Sequence, residues 1–393
     1  MWWECEFTRP PLSSLTSMNQ PQITTDTLRC WAEVDHAALR HNLSTLRSHV
    51  PQAAMLAVVK ANAYGHGLAA VVGTLAWGVD FFGVANLAEA REIARVAPRT
   101  PVLLLGAALP VERAAVVREG FIPAISSVAE AAAYATLGPR VAVHLAVDTG
   151  MGRMGVWEAD ALETARQILA MPNLQITGLC SHLPVADEDD TYTREQLARF
   201  YALVEKLRAL GLHDATVHVE NSAGIIGFPT QAGGLVRAGL ALYGVSPRPE
   251  FQARLLPALT WKTRVLLVRE YAAGQGVSYG RTFIAPTPMR VATLAVGYAD
   301  GYPRQASGRG ASVLIRGQHC AVLGRVTMDQ IMVDVTALAA IQPGEIAVLL
   351  GQQDGAEISA TELAKWGGTI AWDIFTGIGQ RVARVHLGES AVS

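Results

Sequence analysis

The stretch AMLAVVKANAYGHG, residues 54–67, joins a short apolar, β-branched run to a small glycine-containing turn that opens a helical segment. Seven further apolar runs follow, and amphipathic segments lie between most of them. Short apolar strands that alternate with helices are typical of a parallel sheet. The eight predicted strands are residues 54–59, 80–85, 101–105, 122–126, 141–147, 175–181, 215–219 and 234–239.

Eight strand–helix units in about 220 residues favour a closed barrel. After residue 257 the pattern changes to closely spaced strands with glycine in their turns. These later strands are predicted at residues 263–269, 291–296, 312–315, 321–326, 331–335 and 346–350. The sequence therefore predicts an α/β chain with a (β/α)8 TIM-like barrel at residues 29–255 and a C-terminal β-rich domain at 256–393. A strand near residues 31–34 is a candidate to join that second domain.

The composition of the 393 residues bears on location and partners. With 34 acidic against 32 basic residues, the net charge of −2 offers no cationic surface for nucleic acid. No apolar stretch reaches the roughly 18 residues of a spanning helix, and no export signal is visible, so no membrane partner is expected. The four cysteines are far apart and lack zinc-like spacing, which favours a reducing cytoplasm and no metal.

Only 17% of the residues are charged and half are apolar, which favours a large core and an oligomer. Residues 1–28, rich in Ser, Thr, Pro and Gln, are expected to form a disordered leader. Met18, within this leader, is an alternative start of the chain.

Lys60 closes the first predicted barrel strand, at the mouth where such barrels hold their active sites. On position alone, a lysine at a strand end is more often a solvated terminus. However, the chain has only four lysines beside 28 arginines. Of these two residue types, only lysine readily loses its proton when desolvated and then acts as a nucleophile or base.

Six further motifs follow the lysine segment in a fixed order: DTGMGRMG at 148–155, NSAG at 221–224, RAGLALYG at 237–244, SYGRTF at 278–283, GYADGY at 297–302 and MDQ at 328–330. Together with VVKANAYGHG at 58–67, this set resembles the bacterial alanine racemases, pyridoxal 5′-phosphate enzymes of fold type III. The resemblance spans nearly everything after the leader. Any single motif is weak, but the ordered set across both domains is specific.

The resemblance implies interconversion of L- and D-alanine by two bases, which supplies D-alanine for peptidoglycan. Lys60 would hold the cofactor covalently and serve as one base, and Tyr279 would be the base on the opposite face. In isolation, Tyr279 would be a surface turn residue. The family forms a head-to-tail homodimer with shared active sites, in which the tyrosine and the segment at Met328 and Asp329 come from the partner subunit.

The resemblance also assigns binding residues for the cofactor and for the small amino-acid substrate. Arg237 would reach the pyridine nitrogen, and a chain of groups would run from the tyrosine through His182 to Arg237. Without the motifs, Arg237 would be expected in an ion pair on the barrel exterior, and His182 would be a hydrogen-bonded core residue. Asn221 and Ser222 would form a helix cap. The cofactor-binding candidates are Lys60, Tyr64, His182, Asn221, Ser222, Arg237, Gly239, Leu240 and Trp372. The substrate-binding candidates are Arg153, Met328 and Asp329.

Two departures from the family pattern bear on the predicted site. Many members carry a carbamylated lysine seven residues before the arginine of TGMGR, where this chain has Ala146. Water, chloride or another carboxylate is the hypothesised replacement beside Arg153. Trp372 stands where the family commonly has a tyrosine that touches the phosphate.

These departures keep a serine or broad-specificity racemase open as an alternative to an alanine racemase. A fold-related pyridoxal-phosphate decarboxylase and a non-enzymatic carrier of the cofactor are less favoured alternatives.

Overall fold

The computed structural model describes residues 25–230 and 233–388. Most of the predicted leader, residues 1–24, lies outside the described residues. Its last residues form a 3-10 turn, Thr25–Thr27, and Arg264 donates hydrogen bonds to the carbonyls of Thr25 and Leu28. This end of the leader is therefore held against the second domain.

The N-terminal part alternates strands and helices. Asp35 ends the first strand and caps the first helix, because its carboxylate accepts hydrogen bonds from the N–H groups of Ala37 and Ala38. The strands are β1 Cys30–Asp35, β2 Ala54–Val58, β3 Phe81–Val84, β4 Val102–Leu104, β5 Ile122–Ile125, β6 Val141–Asp148, β7 Val156–Trp157, β8 Leu174–Cys180, β9 Thr216–His218 and β10 Leu235–Ala238. The helices are α1 His36–His49, α2 Leu68–Leu75, α3 Leu87–Val96, α4 Arg113–Arg118, α5 Val128–Ala135, α6 Ala161–Leu169, α7 Asp190–Ala209 and α8 Ser222–Gly227.

Eight of these strands form a parallel barrel in the order β10, β2, β3, β4, β5, β6, β8, β9. The backbone N–H of Arg237 in β10 donates a 3.0 Å hydrogen bond to the carbonyl of Glu220, just past β9, and this contact closes the ring. β7 pairs only with the end of β6. The predicted (β/α)8 barrel is confirmed, and all eight predicted strands are present.

The C-terminal part is rich in antiparallel strands. It contains β11 Leu259–Tyr271, β12 Gly276–Val277, β13 Phe283–Ile284, β14 Met289–Leu294, β15 Ser312–Ile315, β16 Gln318–Leu323, β17 Ile331–Asp334, β18 Ile346–Gln353, β19 Ala356–Ile358, α9 Ala360–Gly367, α10 Ala371–Gly377 and β20 Ala383–Leu387. Six of these strands pair in the order β11, β14, β17, β16, β15, β18. β18 also pairs with β11, so this series of strands forms a closed ring. The predicted β-rich second domain is therefore confirmed.

The first strand of the chain is part of this second sheet. β1 pairs antiparallel with β11, where Cys30 lies opposite Thr263, and parallel with β20, where Trp31 lies opposite Ala383. The chain thus contributes a strand to the C-terminal domain before it enters the barrel.

Each domain has its own apolar core, and the side chain of Trp372 packs against both. A cavity of about 660 Å³ lies between the domains, and Leu240, Ile370 and Trp372 are among its lining residues. Within the described residues, no helix combines the length and the apolarity needed to cross a membrane.

Candidate active site

Lys60 lies two residues after the end of β2, at the C-terminal mouth of the barrel. The next four residues, Ala61–Tyr64, have φ values between +51° and +55° and form a left-handed turn. A left-handed conformation of non-glycine residues is unfavourable by about 1–2 kcal/mol each. The right-handed helix α2 begins only at Leu68. Lys60 therefore stands at the start of a strained turn that other groups must hold in place.

Side chains from both flanks hold this turn. The Glu89 carboxylate accepts hydrogen bonds from the N–H of Ala61 (2.7 Å) and the N–H of Ala85 (2.9 Å), so it joins the loops after β2 and β3. The Asn62 side chain accepts a 2.7 Å hydrogen bond from the N–H of Leu68, the first residue of α2. These bonds offset part of the backbone strain.

The lysine itself is half-buried. Burial lowers the pKa of Lys60, the positive charges of Arg153 and Arg237 lower it further, and the Glu89 carboxylate opposes them. Because desolvation and neighbouring cations both disfavour the ammonium form, the neutral, nucleophilic amine becomes more accessible.

Arg237 lies on β10 and is 5% exposed. Its Nη1 donates to Nδ1 and to the carbonyl of His218, both at 3.0 Å. Its Nη2 donates to Nδ1 of His182 at 3.0 Å and to the carbonyls of Ser181 and Val219. Among the described residues, no carboxylate forms an ion pair with this guanidinium. Both terminal nitrogens are thus engaged by protein acceptors, and Nε–H is the donor that remains.

His182 follows β8, at the C-terminal end of the barrel strands, and contacts Nη2 of Arg237. Burial, with the positive charge of Arg237, lowers the pKa of His182 to about 3, so the ring is neutral. Since arginine can only donate, His182 Nδ1 is the acceptor and its proton is on Nε2. The Gln196 side chain fixes the backbone here, donating to the carbonyl of His182 at 2.9 Å.

Tyr64, Ser222 and Gly239 lie together on the other side of the mouth. The buried Ser222 hydroxyl accepts a 2.9 Å hydrogen bond from the N–H of Gly239. A Cβ at Gly239 would be 3.0 Å from the Tyr64 hydroxyl, so glycine leaves space between these groups. Leu240, the next residue, is buried.

Asn221 is used as a helix cap. Its side chain accepts a 3.0 Å hydrogen bond from the N–H of Gly224 and donates to the carbonyl of Leu183 at 3.1 Å. Asn221 thus places Ser222 at the start of α8.

Tyr279, Met328 and Asp329 lie on loops of the C-terminal domain. Tyr279 is 71% and Met328 52% exposed. Asp329 forms an ion pair with Arg381 at 2.9 Å, and Arg381 also contacts the buried Asp300. Within the described part of one chain, no hydrogen bond or ion pair links these three residues to Lys60. The structure therefore brings together the barrel candidates and leaves the C-terminal candidates on an open surface.

Matches to two protein-family models identify the family of this chain. Residues 34–247 match the model described as alanine racemase, N-terminal domain, and residues 258–386 match alanine racemase, C-terminal domain. This chain belongs to the alanine racemase family.

Relatives of known name agree with this assignment. The chain is 42% identical over 369 residues to the alanine racemase of Symbiobacterium thermophilum, covering 92% of this chain and 98% of that protein. The solved alanine racemase of Streptomyces lavendulae has a TM-score of 0.86 at 35% identity, covering 92% of this chain and 98% of that one. The Bartonella henselae alanine racemase, solved with covalently bound pyridoxal phosphate, has a TM-score of 0.83 at 29% identity, covering 92% and 100%.

The first departure from the alanine racemase pattern lies on β6. Ala146 is buried and pairs in register with Cys180 of β8. The exposed Arg153 forms no ion pair with any carboxylate among the described residues. Its backbone is nevertheless fixed, because the Asp148 carboxylate accepts hydrogen bonds from the N–H groups of Gly150 and Arg153.

The second departure lies on α10. Trp372 is half-buried and lines the cavity between the domains together with Leu240. Leu240 directly follows Gly239, whose N–H donates a hydrogen bond to the Ser222 hydroxyl. Trp372 therefore shares this cavity with one cofactor-binding candidate, Leu240.

Four supporting residues are absent from the sequence-based prediction. Glu89 and Arg384 hold the Lys60 turn, and His144 and His218 lie below Arg237. A single histidine within the apolar run VAVHLAV is a sequence signal that points to His144, since a polar side chain inside a barrel needs a partner.

Proposed function

We propose that this chain interconverts L- and D-alanine with pyridoxal 5′-phosphate as cofactor, moving the α-hydrogen between bases on opposite faces. Family membership and relatives named alanine racemase support the reaction. The observation that carries the proposal is Lys60, an amine of lowered pKa, beside Arg237, a buried cation without a carboxylate partner among the described residues.

The residues at the mouth fit this cofactor. Lys60 offers the amine for covalent attachment, and Arg237 retains an Nε–H donor suited to a pyridine nitrogen. On the other side, Ser222, the N–H of Gly239 and the Tyr64 hydroxyl surround a space that a glycine keeps open, as a phosphate requires.

When bound, the cofactor withdraws electrons from the α-carbon of the substrate and so acidifies its hydrogen. Lys60 then accepts or returns the proton on one face, and the Tyr279 hydroxyl does so on the other. Two bases are needed because a single base that returned the proton to the same side would regenerate the starting enantiomer. Arg153 is assigned to the substrate carboxylate, with the backbone at Met328 and Asp329.

Arg237 limits side reactions in this proposal. Arginine does not readily release a proton, so Arg237 would leave the ring nitrogen of the bound cofactor largely unprotonated. By withholding that proton, Arg237 would weaken the electron withdrawal by the cofactor and so disfavour transamination or decarboxylation.

We further propose a head-to-tail homodimer in which each mouth is completed by the partner subunit. The exposed Tyr279 and Met328 support this, since neither has a hydrogen bond to Lys60 within the described part of one chain. The proposed setting is the cytoplasm, where D-alanine feeds peptidoglycan synthesis. The three described cysteines, Cys30, Cys180 and Cys320, are free thiols, in keeping with a reducing compartment.

The deciding experiment is α-hydrogen exchange in deuterated water, followed separately with D- and L-alanine. We expect the holoenzyme to exchange both enantiomers and to racemise each, and Tyr279→Phe to exchange only one enantiomer without racemisation. Exchange from neither enantiomer, or release of carbon dioxide from a basic amino acid, would contradict the proposal.

A second candidate is a serine or broad-specificity racemase. Trp372 favours it, because this residue lines the cavity between the domains at a position where the family commonly has tyrosine. Parallel assays across several amino acids, with both enantiomers of each, separate the two candidates by kcat/KM.

A further inference from the structure

Two buried histidines lie in line beneath Arg237. Nδ1 of His218 on β9 is 3.0 Å from Nη1 of Arg237, and Nε2 of His218 is 2.8 Å from Nδ1 of His144 on β6. Both histidines are 1% exposed. A continuous set of hydrogen bonds therefore crosses the barrel interior from the mouth residue His182 through Arg237 and His218 to His144.

The chemistry of arginine sets the direction of these bonds. A guanidinium has no acceptor, so Nδ1 of His218 carries no proton and the proton of this neutral ring is on Nε2. That N–H must donate to Nδ1 of His144, whose proton is then on its own Nε2. In each of these hydrogen bonds, the donor is on the side of Arg237. Each donor N–H therefore requires an unprotonated nitrogen on the next residue.

Burial keeps the two rings neutral. Desolvation, reinforced by the positive charge of Arg237, lowers the pKa of His144 to about 4 and the pKa of His218 well below its ordinary value. A protonated ring at either position would offer an N–H where an acceptor is needed. The neutral forms are thus the ones that match the observed distances.

We propose that His144 is a positioning residue for Arg237, because its bare Nδ1 is the acceptor that locks the His218 tautomer and so fixes the guanidinium. This rests on the proposed function, in which Arg237 faces the cofactor ring. Without the acceptor, the Nε2–H of His218 would be buried and unpaired, which is unfavourable by about 1–3 kcal/mol. His218 would then turn or change tautomer and present an N–H to the Arg237 N–H groups.

The barrel register fixes the His144 ring itself. His144 lies opposite Gly178 of β8. A Cβ on Gly178 would lie 2.5 Å from Cγ, Nδ1 and Cε1 of the ring. Only glycine leaves room for the imidazole, so β8 and β6 together hold Nδ1 in front of His218.

The test combines nuclear magnetic resonance with kinetics. Holoenzyme labelled with ¹⁵N-histidine reports which ring nitrogen carries the proton, with signals assigned through His144→Gln and His218→Asn. We expect both His218 and His144 to be neutral Nε2–H tautomers. His218 as the Nδ1–H tautomer, or protonated at pH 7, would overturn the proposal whether or not the protein racemises alanine.

Variants then test the function of the acceptor. His144→Leu removes it, so we expect the His218 signal to change and kcat for alanine to fall about tenfold or more, with KM changed less than about threefold. His144→Gln restores an acceptor oxygen and should recover most of kcat. Equal losses in both variants with an unchanged His218 tautomer would indicate a packing role and overturn the proposal.

A third variant avoids replacing the histidine. Gly178→Ala should displace the His144 ring and reproduce the spectral and kcat changes of His144→Leu. Gly73→Ala is the matched control, because a Cβ there meets only Val96 at an ordinary 3.7 Å. Wild-type spectra and kcat in Gly178→Ala, or equal effects in the two glycine variants, would contradict the proposal.

Discussion

Nε of Arg384 donates a 2.8 Å hydrogen bond to the carbonyl of Gly65, five residues beyond Lys60. The bond joins the last strand of the C-terminal domain to the left-handed turn at the barrel mouth. Gly65 has φ +78°, and a Cβ there would be 2.2 Å from the carbonyl oxygen of Phe375. The two domains of one chain therefore meet where the candidate lysine is held.

Replacing Arg384 by methionine should destabilise the protein. Besides Gly65, Arg384 donates to the carbonyls of Ile378, Gly379 and Val382, all at 2.7 Å. Leaving such part-buried carbonyls unpaired is expected to lower the free energy of unfolding by about 2–4 kcal/mol. Urea unfolding measures this. Arg40→Met is the control, since Arg40 makes one exposed bond to Gly388, and similar losses in both variants would contradict the special role of Arg384.

Mixing two inactive variants should restore activity if the sites are shared between subunits. In a dimer of one Lys60→Ala chain and one Tyr279→Phe chain, one site carries both defects and the other carries neither. We expect the purified mixed dimer to have about half the wild-type kcat, while each parent homodimer is inactive as a racemase. Differently tagged, co-expressed chains provide the mixed dimer. A mixed dimer as inactive as its parents would mean that each chain builds its own site.

Replacing Trp372 by tyrosine should change the selectivity between alanine and serine. Trp372 lines the cavity between the domains, at a position where the family commonly has tyrosine. We expect the alanine-to-serine ratio of kcat/KM to rise about three- to tenfold, because the substitution restores the family's side chain and replaces the indole N–H by a phenol hydroxyl. Trp366→Tyr is the control, since Trp366 packs on the C-terminal core and is not among the residues that line that cavity. An unchanged ratio in Trp372→Tyr would remove the selectivity role.

The barrel is predictable from sequence because its strands are local apolar runs bounded by turn residues. Each predicted barrel strand agrees with the structure to within one residue at either end. β11 is less well predicted, at residues 263–269 instead of Leu259–Tyr271, since its ends are defined by pairing with β1, β18 and β14. The roles assigned to the site residues by resemblance remain predictions.

Other features depend on distant partners and leave little trace in the sequence. Ala61 and Ala63 favour right-handed helix, and their left-handed turn is held by Glu89 and by Arg384, which is 319 residues beyond Gly65. Likewise, the contact between His144 and His218 joins residues 74 apart and requires the barrel register. Local patterns therefore locate Lys60, while the groups that position it become visible only in three dimensions.

Acid should destabilise the protein through His66, which is fully buried between Tyr243 and Phe375. Its Nδ1 bonds to the carbonyls of Ala63 and Tyr64, and desolvation lowers its pKa from 6.5 to about 4. As pH falls below 6.5 the unfolded chain binds a proton that the folded chain does not, so stability present above pH 6.5 is lost towards pH 4.

The loss assigned to His66 should be about 2 kcal/mol between pH 7.5 and pH 5.0. His66→Asn keeps a side-chain N–H for the same carbonyls but does not titrate. Its unfolding free energy should therefore fall by about 2 kcal/mol less than that of the wild type over this interval, although the lost ring lowers stability at both pH values. Urea unfolding at the two pH values provides the comparison, with the exposed His49→Asn as the control for removal of one histidine. Equal falls in wild type and His66→Asn would show that the proton uptake occurs elsewhere.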